Sequence, residues 1–368
     1  MHRPARRTSI RLAAATLAIA TAAACGVTPG AQGDDADDVA SVSLADATLL
    51  DDPKAYEGEV HASLADTAIE PITDAPRQTL PVTITDAQGT KVTITDTSRI
   101  LALDVYGTLA QTVFELGLGD HVVGRDISTQ LDEAKDLPLV TSNGHDLNAE
   151  SILALNPTVI LTDTSLGPWD VILQMRDSGI PVVVTDSERS LDNVGSLTDQ
   201  IATALGVPAD GERLAERIET ETKAVQAQIA AIAPTAVQDK LRMVFLYVRG
   251  QAGVYYMFGE GSGADGLIKA VGGYDVTQEI GWNGMKPVND EAIIDAQPDL
   301  IVMMTKGLDS VGGVDGLLER LPAIANTPAG QHRSIVDMQD SQVLSFGPRT
   351  AEVLNSLAVA IYAPESVK

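Results

Sequence analysis

Leu147-Asn148-Ala149-Glu150-Ser151-Ile152-Leu153-Ala154-Leu155-Asn156-Pro157-Thr158-Val159-Ile160 returns without a gap, 141 residues later, as Val288-Asn289-Asp290-Glu291-Ala292-Ile293-Ile294-Asp295-Ala296-Gln297-Pro298-Asp299-Leu300-Ile301. Each copy reads as a short helix opened by an Asx-type cap, closed before proline, and followed by a strand. The residues just upstream correspond as well, Asn143-Gly144-His145 against Asn283-Gly284-Met285. A supersecondary unit repeated at domain-sized separation implies two lobes of similar α/β fold.

The surroundings of both copies agree with that division. Upstream of the first copy, Val82–Asp86, Gly89 and Lys91–Ile94 read as a hairpin, and Ile100–Leu103 as a short buried strand. Thr108 to Leu118 has helical spacing and stops at Gly119. Downstream, the apolar runs Val159–Thr162 and Val182–Thr185 flank a helix over 169–178, the alternation of a parallel sheet. Helical patterns fill 191–205 and 212–232, with Leu214, Ile218, Val225 and Ile229 on one face. Strands resume at Leu241–Tyr247 and Leu300–Met303, a further strand is predicted at Gln342–Leu344, and a last helix over 350–362. The lobes are therefore expected at 79–190 and 211–368, with a linking helix over 191–210 and ligand between them.

The remainder is read differently. Arg3, Arg6, Arg7 and Arg11 precede a short apolar run, Leu12–Ala20, and small residues lead to Cys25, the only cysteine of the 368 residues. Residues 1–24 are read as a lipoprotein signal peptide and Cys25 as the lipidated residue. Residues 25–78 carry Asp34, Asp35, Asp37, Asp38, Asp51 and Asp52 among Ala, Gly and Pro, and are expected to be a flexible acidic tether. One cysteine excludes an internal disulfide, a redox pair or a zinc–thiolate site. The net charge of −26 opposes nucleic acid and anionic lipid, so membrane attachment requires the lipid anchor on the outer face of the cell membrane.

With these features the chain, over roughly 80–365, resembles the substrate-binding proteins of ABC importers for iron complexes, haem and cobalamin. Within them it is most similar to haem-uptake lipoproteins of actinobacteria, through Tyr247-Val248-Arg249-Gly250, Gly253-Val254-Tyr255-Tyr256-Met257, Gly261-Ser262-Gly263-Ala264, Asn143-Gly144-His145 and Gly347-Pro348-Arg349-Thr350. The resemblance implies two α/β lobes joined by one long helix. It implies a monomer that captures ferric haem and delivers it to a permease and its ATPase. It assigns the axial iron ligands to Tyr247 and His145, and permease docking to Glu150 and Glu291. Two exposed carboxylates fixed on separate lobes can set docking orientation.

The chemistry of these residues is consistent with that implication. Ferric iron suits a phenolate oxygen, and tyrosine, with a pKa near about 10, needs help to ionise. Positions 247 and 249 of a strand project from one face, so Arg249 is expected to reach the phenolic oxygen. Tyr255, Tyr256, Phe258 and Trp282 are candidate walls, and Arg349 and Lys306 candidate partners for propionates. Met285, Met303 and Met304 are apolar walls or alternative thioether ligands.

Other functions fit less well. A siderophore or cobalamin receptor of the same class remains the alternative. Zinc or manganese capture would want three histidines and a carboxylate, and the folded part offers only His121, His145 and His332. An enzyme is not expected: no nucleophile elbow is present, and Ser262 between glycines has no partner motif.

Overall fold

The computed structural model describes residues 42–64 and 66–367. The chain's first strand, β1 (Glu59–Ala62), belongs to the second lobe, and the first lobe then forms without interruption. A hairpin, β2 (Val82–Thr85) and β3 (Lys91–Ile94), leads into β4 (Ile100–Leu103) and helix α1 (Thr108–Val113), which continues as a wider turn to Leu118. A small hairpin follows, β5 (Thr141–Ser142) and β6 (Asp146–Leu147), then α2 (Ala149–Ala154), β7 (Val159–Thr162), α3 (Trp169–Asp177) and β8 (Val182–Val184). Strands β4, β7 and β8 form a parallel sheet in that order.

That sheet is buried on both faces, which is why its strands read as unbroken apolar runs. Ile100 and Ala102 join one core cluster while Leu101 and Leu103 join another on the opposite side. The alternation is the period of two of a strand.

Two helices separate the lobes: α4 (Val194–Ala204) and α5 (Pro208–Ile232). The linking element expected over 191–210 is thus misplaced. The glycine turn at Gly206 (φ 73°) ends α4, and Pro208 opens the 25-residue α5 at a position where its missing N–H costs nothing. At 1.5 Å per residue α5 is about 37 Å long. It buries Leu214 and Ile218 in its first half and Ile229 near its end, packing against α4 and later against the final helix.

The second lobe is a mixed sheet. Its strands are β9 (Arg242–Arg249), β10 (Val254–Phe258), β11 (Tyr274–Asp275), β12 (Met285–Pro287), β13 (Leu300–Met304) and β14 (Ile335–Met338). The main order is β1-β14-β13-β9-β10-β12, with β11 pairing β9. Helices α6 (Ala264–Ala270), α7 (Asp290–Ala296), α8 (Thr305–Asp309), α9 (Gly313–Arg320), α10 (Pro328–His332), α11 (Asp340–Val343) and α12 (Thr350–Tyr362) cover it. The strand predicted at Gln342–Leu344 is instead the end of α11 and a loop. The strand is Ile335–Met338, whose polar Asp337 disguised it.

The repeat has one geometry in both lobes. The Asn148 side chain accepts from the Ser151 N–H at 2.9 Å, and the Asn289 side chain from the Ala292 N–H at 2.8 Å. Each segment ends with a residue at positive φ, Asn156 (45°) and Gln297 (42°), directly before its proline.

The acidic segment 25–78 departs from the expected tether wherever it is described. Leu44 is buried, and its N–H donates to Asn355 Oδ1 at 2.9 Å. β1 pairs in parallel with β14, turning Val60 and Ala62 inward. Further on, the Ile69 N–H meets Glu133 Oε1 at 3.0 Å and the Ile72 N–H meets Glu115 O at 2.7 Å, both in the first lobe. Only four residues alternate in β1, too few to stand out of an acidic, proline-bearing stretch. Cys25 and the signal peptide lie outside the described residues. Among the described residues, no helix is long and apolar enough to cross a membrane.

Candidate functional site

β9 runs through the middle of the second lobe and ends at its rim with Tyr247 and Arg249 on one face. Their neighbours on this face, Met243 and Phe245, are buried in the core, which anchors the strand beneath the exposed end. Tyr247 is half-buried and pairs across the strands with Tyr256. Its ring stacks on Phe258, with centroids 5.9 Å apart and planes 21° apart. The Arg249 guanidinium lies over the same ring, 4.4 Å from its centroid.

Arg249 therefore does not take the position expected for it. Its Nη2 pairs with Asp340 Oδ2 at 2.6 Å and approaches Met304 Sδ at 3.8 Å, while Nη1 donates to Val248 O at 2.9 Å. The carboxylate draws the guanidinium across the ring face instead of toward the phenolic oxygen. Among the described residues the Tyr247 hydroxyl has no hydrogen-bond partner.

His145 stands on the other lobe. β5 and β6 form a hairpin whose three-residue loop is Asn143-Gly144-His145. Asn143 (φ 47°) and Gly144 (φ 90°) take the left-handed conformations that these residue types tolerate best, and the turn presents the imidazole to solvent. The pKa of His145 is lowered, first by loss of hydration and next by the charge of Arg249. Asp146 and Asp340 oppose this, and Lys306 adds a smaller depression. The charges that act on His145 thus include three groups of the second lobe, all beside Tyr247 or at the start of α8. A neutral imidazole is the form that ligates metal.

A cavity of about 1320 Å³ is lined by Tyr106, Arg189, Phe258, Met285 and Phe346 among others. Neither Tyr247 nor His145 lines it; Phe258, stacked on Tyr247, is the link between the two. Below Tyr106 is a polar cluster that sequence reasoning missed. Arg189 Nη2 pairs with Asp104 Oδ2 at 3.1 Å and Asp163 Oδ2 at 2.7 Å, with both carboxylates buried. The guanidinium lies 5.3 Å from the Tyr106 ring centroid. Burial, and then the charge of Asp104, push Asp126 up to about 7. The same two causes raise Asp163. The signal was present in the sequence: each strand of the parallel sheet β4-β7-β8 runs toward an acid, Leu103-Asp104, Thr162-Asp163 and Thr185-Asp186, at the carboxyl ends where open α/β sheets receive ligands.

The other candidates divide. Tyr256 and Met304 lie with Tyr247, and Met285 lines the large cavity. Met303 does not belong to the site: it points into the opposite core and is fully buried, because strand parity separates it from Met304. Tyr255 and Trp282 pack on that same far side, the Trp282 indole donating to Met257 O at 2.9 Å. Arg349 is not free for a propionate. It is 8% exposed, donates to Glu352 Oε2 at 2.8 Å and to Asp66 O, and lines a smaller, separate cavity. Lys306 is exposed and has no ion pair among the described residues. Ser262 donates to Gly259 O. No group of three potential metal ligands occurs among the described residues. Glu150 and Glu291 occupy the first turns of α2 and α7, exposed, at equivalent points of the two lobes.

Comparison with known proteins agrees with this architecture. A solved structure of the heme binding protein HmuT is 40% identical, with a TM-score of 0.80, covering 84% of this chain and 99% of that one. HmuT has also been solved with alanine in place of a histidine, of a tyrosine, and of an arginine two residues after that tyrosine. The uncharacterized ABC transporter substrate-binding lipoprotein YvrC of Bacillus subtilis (strain 168) is 27% identical over 79% of this chain and 88% of its own length. A vitamin B12-binding protein of Pectobacterium atrosepticum is 24% identical over 73% of this chain and 92% of its length. The family profile described as periplasmic binding protein matches residues 105–341. With two α/β lobes, a long helix between them and a cleft faced by both, this chain belongs to the periplasmic binding protein family.

Proposed function

We propose that this protein is the substrate-binding component of a haem ABC importer, taking ferric haem through the Tyr247 oxygen on one side and the His145 imidazole on the other. The observation that carries this reading is the opposition of two lobes at one place. A rim tyrosine of the second lobe carries on its ring the same guanidinium whose charge lowers the pKa of His145, at the tip of a first-lobe hairpin. A phenolate is a hard anionic donor for ferric iron, and the Arg249 guanidinium lies over the ring that would supply it. Phe258, Tyr256 and Met304 supply apolar surface for a flat macrocycle, and Lys306 an unpaired cation for a propionate. HmuT, with its matching Tyr–x–Arg spacing, supports the assignment. The vitamin B12-binding relative supports a cobalamin reading less well, since it shares fewer residues over less of the chain.

Glu150 and Glu291 are the proposed docking points for the permease, Cys25 the lipid-bearing residue, and the outer face of the cell membrane the location. The deciding experiment is a visible absorption titration with hemin. A saturable one-to-one Soret change that is lost in Tyr247→Ala is expected. No change in the parent protein would discard the iron ligands and favour cobalamin or a siderophore.

A further inference from the structure

We infer that Asp340 is a positioning residue for Tyr247, acting through Arg249: it fixes the guanidinium over the phenol ring before any ligand arrives. The inference rests on the haem reading for its consequence, though not for its geometry. Arg249 is the last residue of β9, and beyond it the chain turns away at Gly250. A long cationic side chain at such a point keeps most of its rotamer freedom unless something holds it, and a cation–ring contact alone is a weak restraint. Three contacts hold this one, and only Asp340 carries charge.

Asp340 is itself well fixed. Its side chain is 14% exposed, and while Oδ2 takes Arg249, Oδ1 accepts the Lys306 N–H at 3.1 Å. One carboxylate thereby ties the ends of β9, β13 and β14 together. The approach of α8 that permits this needs a residue without a side chain: a Cβ on Gly307 would stand 2.9 Å from Val248 O. Asp340 also acts on His145 electrostatically, against the effect of Arg249. Charge-assisted pairing of this kind is short and directional, which suits it to aim a guanidinium.

The consequence is preorganisation. The guanidinium is in place on the Tyr247 ring at the moment of binding and requires no search. Neutralisation by Asp340 weakens its field, so the two effects oppose, and the sign of the response to removing Asp340 decides which governs.

The test has two arms. Without ligand, the Arg249–Tyr247 coupling is measured from urea midpoints of Arg249→Ala, Tyr247→Ala and the double variant, in the parent and in the Asp340→Ala background. The coupling is expected to vanish without Asp340. With hemin, Asp340→Ala is expected to release the ligand about tenfold faster, Asp340→Glu to recover most of the difference, and Asp340→Ala to add nothing to Arg249→Ala. A merely structural role would instead speed release by the same factor in both backgrounds, and that result overturns the inference. So would an intact coupling without Asp340, or slower release. A parent protein that binds no hemin would sink the haem reading, while the ligand-free arm still decides whether Asp340 holds Arg249 on the ring.

Discussion

Met303 and Met304 are adjacent in sequence and belong to different cores: Met303 is fully buried among Val244, Leu246 and Ile301, while Met304 shares its face with Tyr247 and touches Arg249. Met303→Ala is therefore expected to cost about 2–5 kcal/mol of stability and leave the hemin spectrum unchanged. Met304→Leu conserves volume and should cost less than about 1.5 kcal/mol, yet alter hemin release through Arg249. Urea denaturation and stopped-flow release to a haem scavenger separate the two.

Of the two proposed iron ligands, Tyr247 should matter more. Tyr247→Ala removes the anionic donor and is expected to weaken hemin binding roughly 100-fold or more, His145→Ala roughly tenfold, in units of about 1.4 kcal/mol per decade. Absorption titrations of both variants give the ranking. Equal tolerance of both changes would remove the site assignment.

Asp126 provides a pH dependence with a definite sign. Its pKa is about 7 in the fold, against the ordinary 3.8, so folding favours the protonated form. The stability it contributes is complete below pH 3.8 and is lost as pH rises through about 7, at most on the order of 4 kcal/mol. The urea midpoint of the parent should thus decline relative to that of Asp126→Asn between pH 4 and 7. Parallel curves would show that the carboxyl is ionised throughout.

The exposed pair Glu150 and Glu291 should be separable from ligand binding. Glu150→Lys and Glu291→Lys are expected to retain the hemin spectrum and to lower uptake through the permease roughly tenfold or more, because a like charge meets the partner's cation. Uptake by vesicles carrying the importer, with the spectrum as control, measures this.

Much of this was legible in the sequence because it depends on local chemistry. An asparagine cap, a proline stop and an apolar run need only their neighbours, so the repeat predicted both lobes and both caps. Strand parity placed Tyr247 and Arg249 on one face for the same reason. What escaped depends on residues brought from afar. Arg249 turns to Asp340, 91 positions away, and Arg189 gathers Asp104 and Asp163 across the first-lobe sheet. Arg349 had the composition of a ligand contact but is held by Glu352 and the Asp66 carbonyl, which no periodicity reveals. The join between the lobes was misplaced because 191–232 is helical almost throughout, and only Gly206 and Pro208 mark the break.

The strand β1 has a bearing on how the chain reaches this state. Its partner β14 lies 276 residues further on, Glu59 against Ile335, so the outer edge of the second-lobe sheet is completed by a segment made long before it. Contacts this distant form late, since the intervening chain must first be brought together. Until then β14 presents an open ladder to any other extended segment, including that of a second molecule. The acidic stretch that looked like a spacer is therefore also a cover, and a chain truncated before Pro81 should refold into a protein that self-associates.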